Sequence, residues 1–167
     1  SKKSSKAFSG LSILVVDDNE DNRDMLSRRL NRRGYESVVV DSGEAALDYV
    51  ENNHNVGLVL LDIMMPGIDG IETLRRIRQT YSRQQMPVLM VTAKAQSDDM
   101  VKAFELGAND YITKPIDYAV TLARVETQLS IVKAMEPAKS PAVQPQQPAV
   151  SQTVAQSEPQ LIKQSPE

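Results

Sequence analysis

The sequence predicts an α/β protein built on a parallel sheet, and three observations carry that reading. Five short apolar segments rich in Val, Ile and Leu recur between Leu11 and Thr113, each too short for a buried helix, which needs roughly ten to twelve residues. Stretches with helical spacing separate them, so the connections are crossovers and the strands run parallel with right-handed connections. The segment Gly57–Asp62 is apolar without alternation until its final carboxylate, the pattern of a strand covered on both faces.

In order, residues 1–9 mix Ser1, Ser4, Ser5 and Ser9 with lysines and read as a flexible tail. Leu11 to Val16 is the first strand and breaks into Asp17-Asp18-Asn19. Asn19 can cap a helix whose inner face uses Met25, Leu26 and Leu30, and whose last turn carries Arg32 and Arg33 before Gly34, suited to the position after a helix end. Tyr35 to Val40 reads as the second strand, with Ser42 capping a short helix through Ala46, Leu47 and Val50. The third strand, Leu58 to Asp62, runs into Pro66-Gly67, and Ile71, Leu74 and Ile77 then recur at helical spacing. Arg75, Arg76, Arg78 and Arg83 read as a solvated helix face rather than a nucleic-acid patch.

Pro87 to Val91 is the fourth strand, followed by Thr92-Ala93-Lys94, and Ser97, Asp98 and Asp99 open a helix that continues through Met100 and Phe104 to Gly107. Asp110 to Thr113 is a brief fifth strand ending at Lys114-Pro115, and a last helix runs from about Asp117 to Met135. Leu122, Val125, Leu129 and Val132 are spaced three, four and three apart. The core accounts for the first two, whereas Leu129 and Val132 are expected beyond the sheet, open to a dimer or effector contact.

The 167 residues suggest one domain, residues 10–136, with an appendage. Six of the nine prolines and seven glutamines fall in residues 137–167, which therefore read as a disordered linker or tail tethering the domain to something else. Lys and Arg total 19 against 22 Asp and Glu, so there is no basic excess to suggest direct nucleic-acid binding. Lys2, Lys3 and Lys6 lie in the N-terminal tail, so the body is more acidic than the formal charge of −3 and would suit a bound cation. The absence of cysteine excludes disulfides and zinc thiolates and fits a cytoplasmic setting. No apolar run reaches membrane-spanning length, and no signal peptide is recognisable.

Asp17, Asp18, Asp62, Thr92 and Lys114 all fall at or just past the ends of apolar strands. In a parallel sheet they converge on the carboxyl edge, where ligands of open α/β sheets bind. As a lone residue Asp62 reads more simply as a turn-starting acid, and it is the convergence that makes a site. Three crowded carboxylates repel, and a hard divalent cation is the economical way to hold them ionised. Oxygen-only ligands without His or Cys point to Mg2+, while a lysine and a threonine hydroxyl are suited to phosphoryl oxygens.

Residues 11–135 resemble the receiver domain of two-component response regulators. The resemblance rests on the acidic pair Asp17-Asp18, the run from Leu60 through Asp62 and Met64-Met65-Pro66-Gly67 to Gly70, Thr92-Ala93, and Tyr111-Ile112-Thr113-Lys114-Pro115. It implies a flavodoxin-like sheet in strand order 2-1-3-4-5 with five helices. Asp62 would accept a phosphoryl group from a partner histidine kinase or phosphotransfer protein. Mg2+ would be held by Asp18, Asp62 and the Met64 carbonyl, with Asp17 orienting metal-bound water. Lys114 and Thr92 would bind the phosphoryl oxygens, Ala93 would leave room for their approach, and a cis Lys114-Pro115 bond would aim the lysine.

The resemblance also implies a switch through Thr92 and Tyr111 to the face made by the fourth helix, fifth strand and fifth helix, read by an effector or a second copy. The last helix is another route to a homodimer. The only chemistry would be self-catalysed phosphoryl uptake and slow hydrolysis, not conventional turnover. Met64 and Lys94 occupy positions that vary in the family and influence phosphate lifetime. His54, the sole histidine, reads as a solvated loop residue, so no internal relay is expected. One rival is a pseudo-receiver that docks without phosphorylation. Another is an Asp-nucleophile phosphatase, which commonly needs a second acid where Met64 stands.

Overall fold

The inner strands of the sheet are mostly apolar and buried along nearly their whole length because helices cover both faces. The computed structural model describes residues 10–93 and 97–134. Its strands are β1 (Ser12–Val16), β2 (Glu36–Val40), β3 (Val56–Asp62), β4 (Val88–Ala93) and β5 (Asp110–Lys114). Its helices are α1 (Glu20–Arg32), α2 (Gly43–Asn52), α3 (Gly70–Thr80), α4 (Ser97–Leu106) and α5 (Tyr118–Ala134). The strands pair in the order β2-β1-β3-β4-β5, all parallel. This is the predicted flavodoxin-like topology. The sequence assignments at 1–9, 94 and 135–167 lie outside the described residues.

Alternation along each strand feeds two cores. Leu14, Val16, Val59, Leu61, Val88 and Met90 pack with Ala46 and Val50 of α2, Leu74 and Ile77 of α3 and Ala103 of α4. Ile13, Val15, Leu58, Leu60, Leu89, Val91 and Ile112 pack with Leu26 and Leu30 of α1 and Leu122, Val125 and Leu129 of α5. The predicted helix starts hold: Asn19 accepts from the Asn22 amide and Ser42 from the Ala45 amide. Gly34 after α1 has φ +95°, a conformation that favours glycine.

Five expectations are corrected, the first being that β4 runs from Val88 to Ala93 rather than from Pro87 to Val91 and so takes in Thr92 and Ala93. β3 starts at Val56 rather than Leu58, because a register shift between Ser12 and Ile13 places Gly57 at an irregularity in the β1–β3 pairing. Leu129 is 2% exposed and belongs to the core, since α5 runs along the sheet as far as Gly57 rather than past it. Met25 is 36% exposed, because the inner stripe of α1 is carried by Leu26 and Leu30, one helical turn apart. Arg78 is not solvated like its neighbours.

Arg78 turns inward at the sheet edge remote from the acidic residues. Its Nε donates to the Gly107 carbonyl at 3.0 Å, and Nη1 donates to the carbonyls of Met86 at 2.9 Å and of Tyr81 and Ser82, both at 3.3 Å. Its Nη2 donates to Asn109 Oδ1 at 3.0 Å, which also accepts from the Val88 amide. Burial and nearby Arg83 lower its pKa to about 10, leaving it charged at neutral pH. One guanidinium therefore ties the end of α3, the loop into β4 and the turn between α4 and β5. By contrast Arg75 and Arg76 pair with Glu72 on the surface. No described helix is long and apolar enough to cross a membrane.

Arg78→Ala leaves several carbonyls without their donor and should destabilise the domain by about 2–4 kcal/mol in urea unfolding. Arg78→Lys should recover only part of this, because an ammonium lacks the planar fork.

Candidate functional site

β1 and β3 are neighbours at the centre of the sheet, so the acids that end them meet. Asp17 is 2% exposed, and its backbone amide extends the sheet by donating to the Val40 carbonyl. The start of α1 holds its side chain. The Asn19 amide donates to Asp17 Oδ1 at 2.9 Å and Asn22 Nδ2 donates to Oδ2 at 3.2 Å. Arg23 Nη1 donates at 2.9 Å to the Asp17 carbonyl. Asp18, one residue on, is exposed.

Asp62 ends β3 at 2% exposure. Lys114 Nζ, from the end of β5, donates to Asp62 Oδ2 at 3.0 Å, and the Met64 amide donates to Oδ1 at 3.3 Å. Carboxylate oxygens of Asp17, Asp18 and Asp62 lie within 4.8 Å of one another. The loop after Asp62 is braced from below. The Gly70 amide donates to the Ile63 carbonyl at 2.8 Å, and a Cβ on Gly70 would collide with the Asp62 carbonyl oxygen. Glu44, in the first turn of α2, accepts from the Ile68 amide at 3.3 Å. Met64 on this loop is 60% exposed.

The β3–β4–β5 register assigns the other predicted residues to faces. Asp62 pairs with Val91, Val91 with Ile112, and Ala93 with Lys114, so Asp62, Ala93 and Lys114 share one face of the sheet. Thr92 pairs with Thr113 and Met90 with Tyr111, which puts Thr92 and Tyr111 on the other. Thr92 is 1% exposed, and its hydroxyl donates to the Ala93 carbonyl at 3.1 Å. The Tyr111 ring lies edge-on to Phe104, centroids 5.9 Å apart, with the Arg124 guanidinium 5.9 Å from its centre. Arg124 is itself bonded to Asp110 at 2.9 Å. The Lys114–Pro115 peptide is cis, as the resemblance implies.

All five sequence-predicted residues thus lie at one edge, with Asp17, Asp18, Asp62 and Lys114 gathered through their side chains and Thr92 flanking them. His54 is in an exposed turn, as expected. Asn22, Arg23, Glu44 and Gly70 went unassigned in the sequence. Asn22 and Arg23 follow Asp17 by five and six residues, and the first turns of a helix starting at Asn19 necessarily pass beside the strand end. That spacing was the available signal.

Electrostatically the site is loaded. Burial, and next the charge of Asp17, push the Asp62 carboxyl up to about 6, while Lys114 opposes the rise. Three crowded carboxylates, those of Asp17 and Asp62 buried and that of Asp18 exposed, without His or Cys among them fit Mg2+ in charge and in ligand chemistry.

The sequence profile of the response regulator receiver domain matches residues 13–126. The chain is 44% identical over 117 residues to YrkP, an uncharacterized transcriptional regulatory protein of Bacillus subtilis, covering 70% of this chain and 48% of that one. It spans about half the length of the curated relatives it matches. Among solved structures, a putative response regulator from Chloroflexus aurantiacus aligns with a TM-score of 0.67 at 35% identity, over 72% of this chain and 98% of that one. A probable two-component system response regulator/GGDEF domain protein aligns with a TM-score of 0.71 at 28% identity, over 74% of this chain and 50% of that one.

The raised value of Asp62 sets a pH dependence. Its folded-state pKa of about 6 lies above the ordinary 3.8, so its contribution favours folding below about pH 4 and is lost as pH rises through 6. Without divalent cation, Asp62→Asn should therefore be more stable than wild type at pH 7 by roughly 1–2 kcal/mol, with a flatter profile between pH 4 and 7. Thermal unfolding across that range checks both.

Proposed function

The chain belongs to the response regulator receiver domain family, and from that membership we propose that it is a phosphorylatable signalling switch with Asp62 as phosphoacceptor. The observation that carries the reading is the lysine ammonium 3.0 Å from a buried carboxylate that two further acids crowd. An Asp62 oxygen attacks the phosphorus of a phosphohistidine on a partner kinase or phosphotransfer protein. The phosphorus–nitrogen bond breaks, its electron pair and a proton go to the imidazole nitrogen, and an acyl phosphate forms. Lys114 turns from the carboxylate to a phosphoryl oxygen, and the Thr92 hydroxyl donates to another. Asp18, Asp62 and the Met64 carbonyl would hold Mg2+, with Asp17 orienting its water, and the bound ion would supply positive charge at the site.

The output follows from where Thr92 and Tyr111 lie. Drawing Thr92 towards new oxygens opens space on the face it shares with Tyr111, and movement of that ring changes the surface of α4, β5 and α5. That surface exposes Val101, Phe104 and Val120, apolar groups suited to a second copy or an effector. Residues 10–136 act as the receiver, residues 1–9 as a tail, and residues 137–167 as a linker or tail. The transcriptional and GGDEF relatives mark two kinds of output such a linker can serve.

A docking-only module has no use for five transfer-competent residues at one edge. A phosphatase would need an acid in place of Met64. Incubation of the protein with Mg2+ and radiolabelled acetyl phosphate should load about one phosphoryl group per chain. EDTA or Asp62→Asn should abolish the label, and Lys114→Ala should slow uptake at least about tenfold. No uptake by wild type overturns the switch, uptake by Asp62→Asn overturns the site, and rapid multiple turnover favours the phosphatase.

A further inference from the structure

We infer that Asn22 is a positioning residue for the cation site, its side-chain amide holding the Asp17 carboxylate in its inward orientation. The inference rests on reading the acidic edge as a Mg2+ site. The Asn22 side chain donates to the Asp17 carboxylate, with Nδ2 at 3.2 Å from Oδ2. The other oxygen is taken by the Asn19 amide at 2.9 Å. Asn22 is fixed in turn, because its own backbone amide donates at 2.9 Å to the Asn19 side chain that caps α1. Cap, amide and acid therefore form a closed set: Asn19 orients Asn22, and both orient Asp17.

The choice of an amide is chemically specific. Asp17 is buried and crowded by the Asp18 and Asp62 carboxylates, so with the Asn19 amide alone to hold it the side chain has reason to turn away. A cationic donor would steady it but would also neutralise it and repel Mg2+. The nearby cation is directed elsewhere, since Arg23 donates to the Asp17 carbonyl and not to its carboxylate. A neutral donor steadies the acid and leaves its charge for the metal. Local helix preference does not account for the residue, since Asn is among the weaker helix formers and Leu, of similar size, among the better ones. Outer hydrogen-bond partners of metal-binding groups commonly change metal affinity by ten- to a hundredfold when removed.

The test uses the whole chain, as wild type, Asn22→Leu and Asn22→Ala. Mg2+ affinity is measured by isothermal titration, and acetyl phosphate uptake is followed as a function of Mg2+ concentration. Both variants should bind Mg2+ about tenfold more weakly, with the loss falling more on the half-saturating Mg2+ concentration than on the rate at saturation. Asn22→Leu should melt no lower than wild type. Affinities within twofold of wild type in both variants overturn the inference. So does a weakened Ala variant beside a Leu variant with wild-type affinity, which would make the role one of packing. Wild type that binds no Mg2+ overturns the cation site itself, and this role with it.

Discussion

The repulsion between Asp17 and Asp62 is the interaction to which the rest of the site answers. It arises from topology: the order β2-β1-β3-β4-β5 makes β1 and β3 neighbours at the centre, and each ends in an acid buried to 2% exposure. A central strand end is where a charge loses most water, so burial is the larger cause of the raised Asp62 pKa and Asp17 the second. Relief comes from Lys114, which must cross the line of β4 to reach Asp62. The residue paired with Lys114 on that strand is Ala93, whose small side chain leaves the path open. The bridge is 3% exposed at the acid and 31% at the lysine. The carboxylate is thus committed to the interior while its cation keeps access to solvent and can change partner.

The two ends of the sheet are built on opposite principles. At the remote end Arg78 meets only neutral acceptors, four carbonyls and the Asn109 amide oxygen, and every contact supports the others. A charge satisfied in this way by dipoles needs no further partner. At the carboxyl end like charges face each other, and the Lys114 ammonium relieves them in part.

The fold was legible because alternation, caps and crossovers all agree in this sequence. The site was legible for a narrower reason: each of its acids and its lysine ends or follows an apolar strand, and parallel pairing turns that positional rule into convergence. What escaped was set by tertiary reach. Arg78 lies on the polar side of the α3 pattern beside Arg75 and Arg76, and nothing local distinguishes it. Its partners come from as far away as Gly107 and Asn109. Leu129 was misjudged because the length of β3 was underestimated by two residues, which shortened the floor available to α5. Asn22 and Glu44 act through side chains that bend back from a helix start to a neighbouring loop or strand end, a geometry that periodicity does not encode.

The face assignment of the strand residues bears on how a change at Asp62 could be felt elsewhere. Asp62 and Lys114 lie on the α1–α5 side of the sheet, while Thr92 and Tyr111 lie on the α2–α3–α4 side. On the proposed reading a group added to Asp62 would sit at the rim, where the sheet ends and the two faces meet. Tyr111 is held by an edge-on contact to Phe104 of α4 and by Arg124 of α5, each worth on the order of 1 kcal/mol. A charge-assisted hydrogen bond from Thr92 to a phosphoryl oxygen is worth roughly 1.5–3 kcal/mol. On the proposed reading a single such bond is therefore comparable to these two contacts together, beside the packing of Tyr111 against the core. Because the two ring contacts come from different helices, their release on that reading would alter both sides of β5 at once.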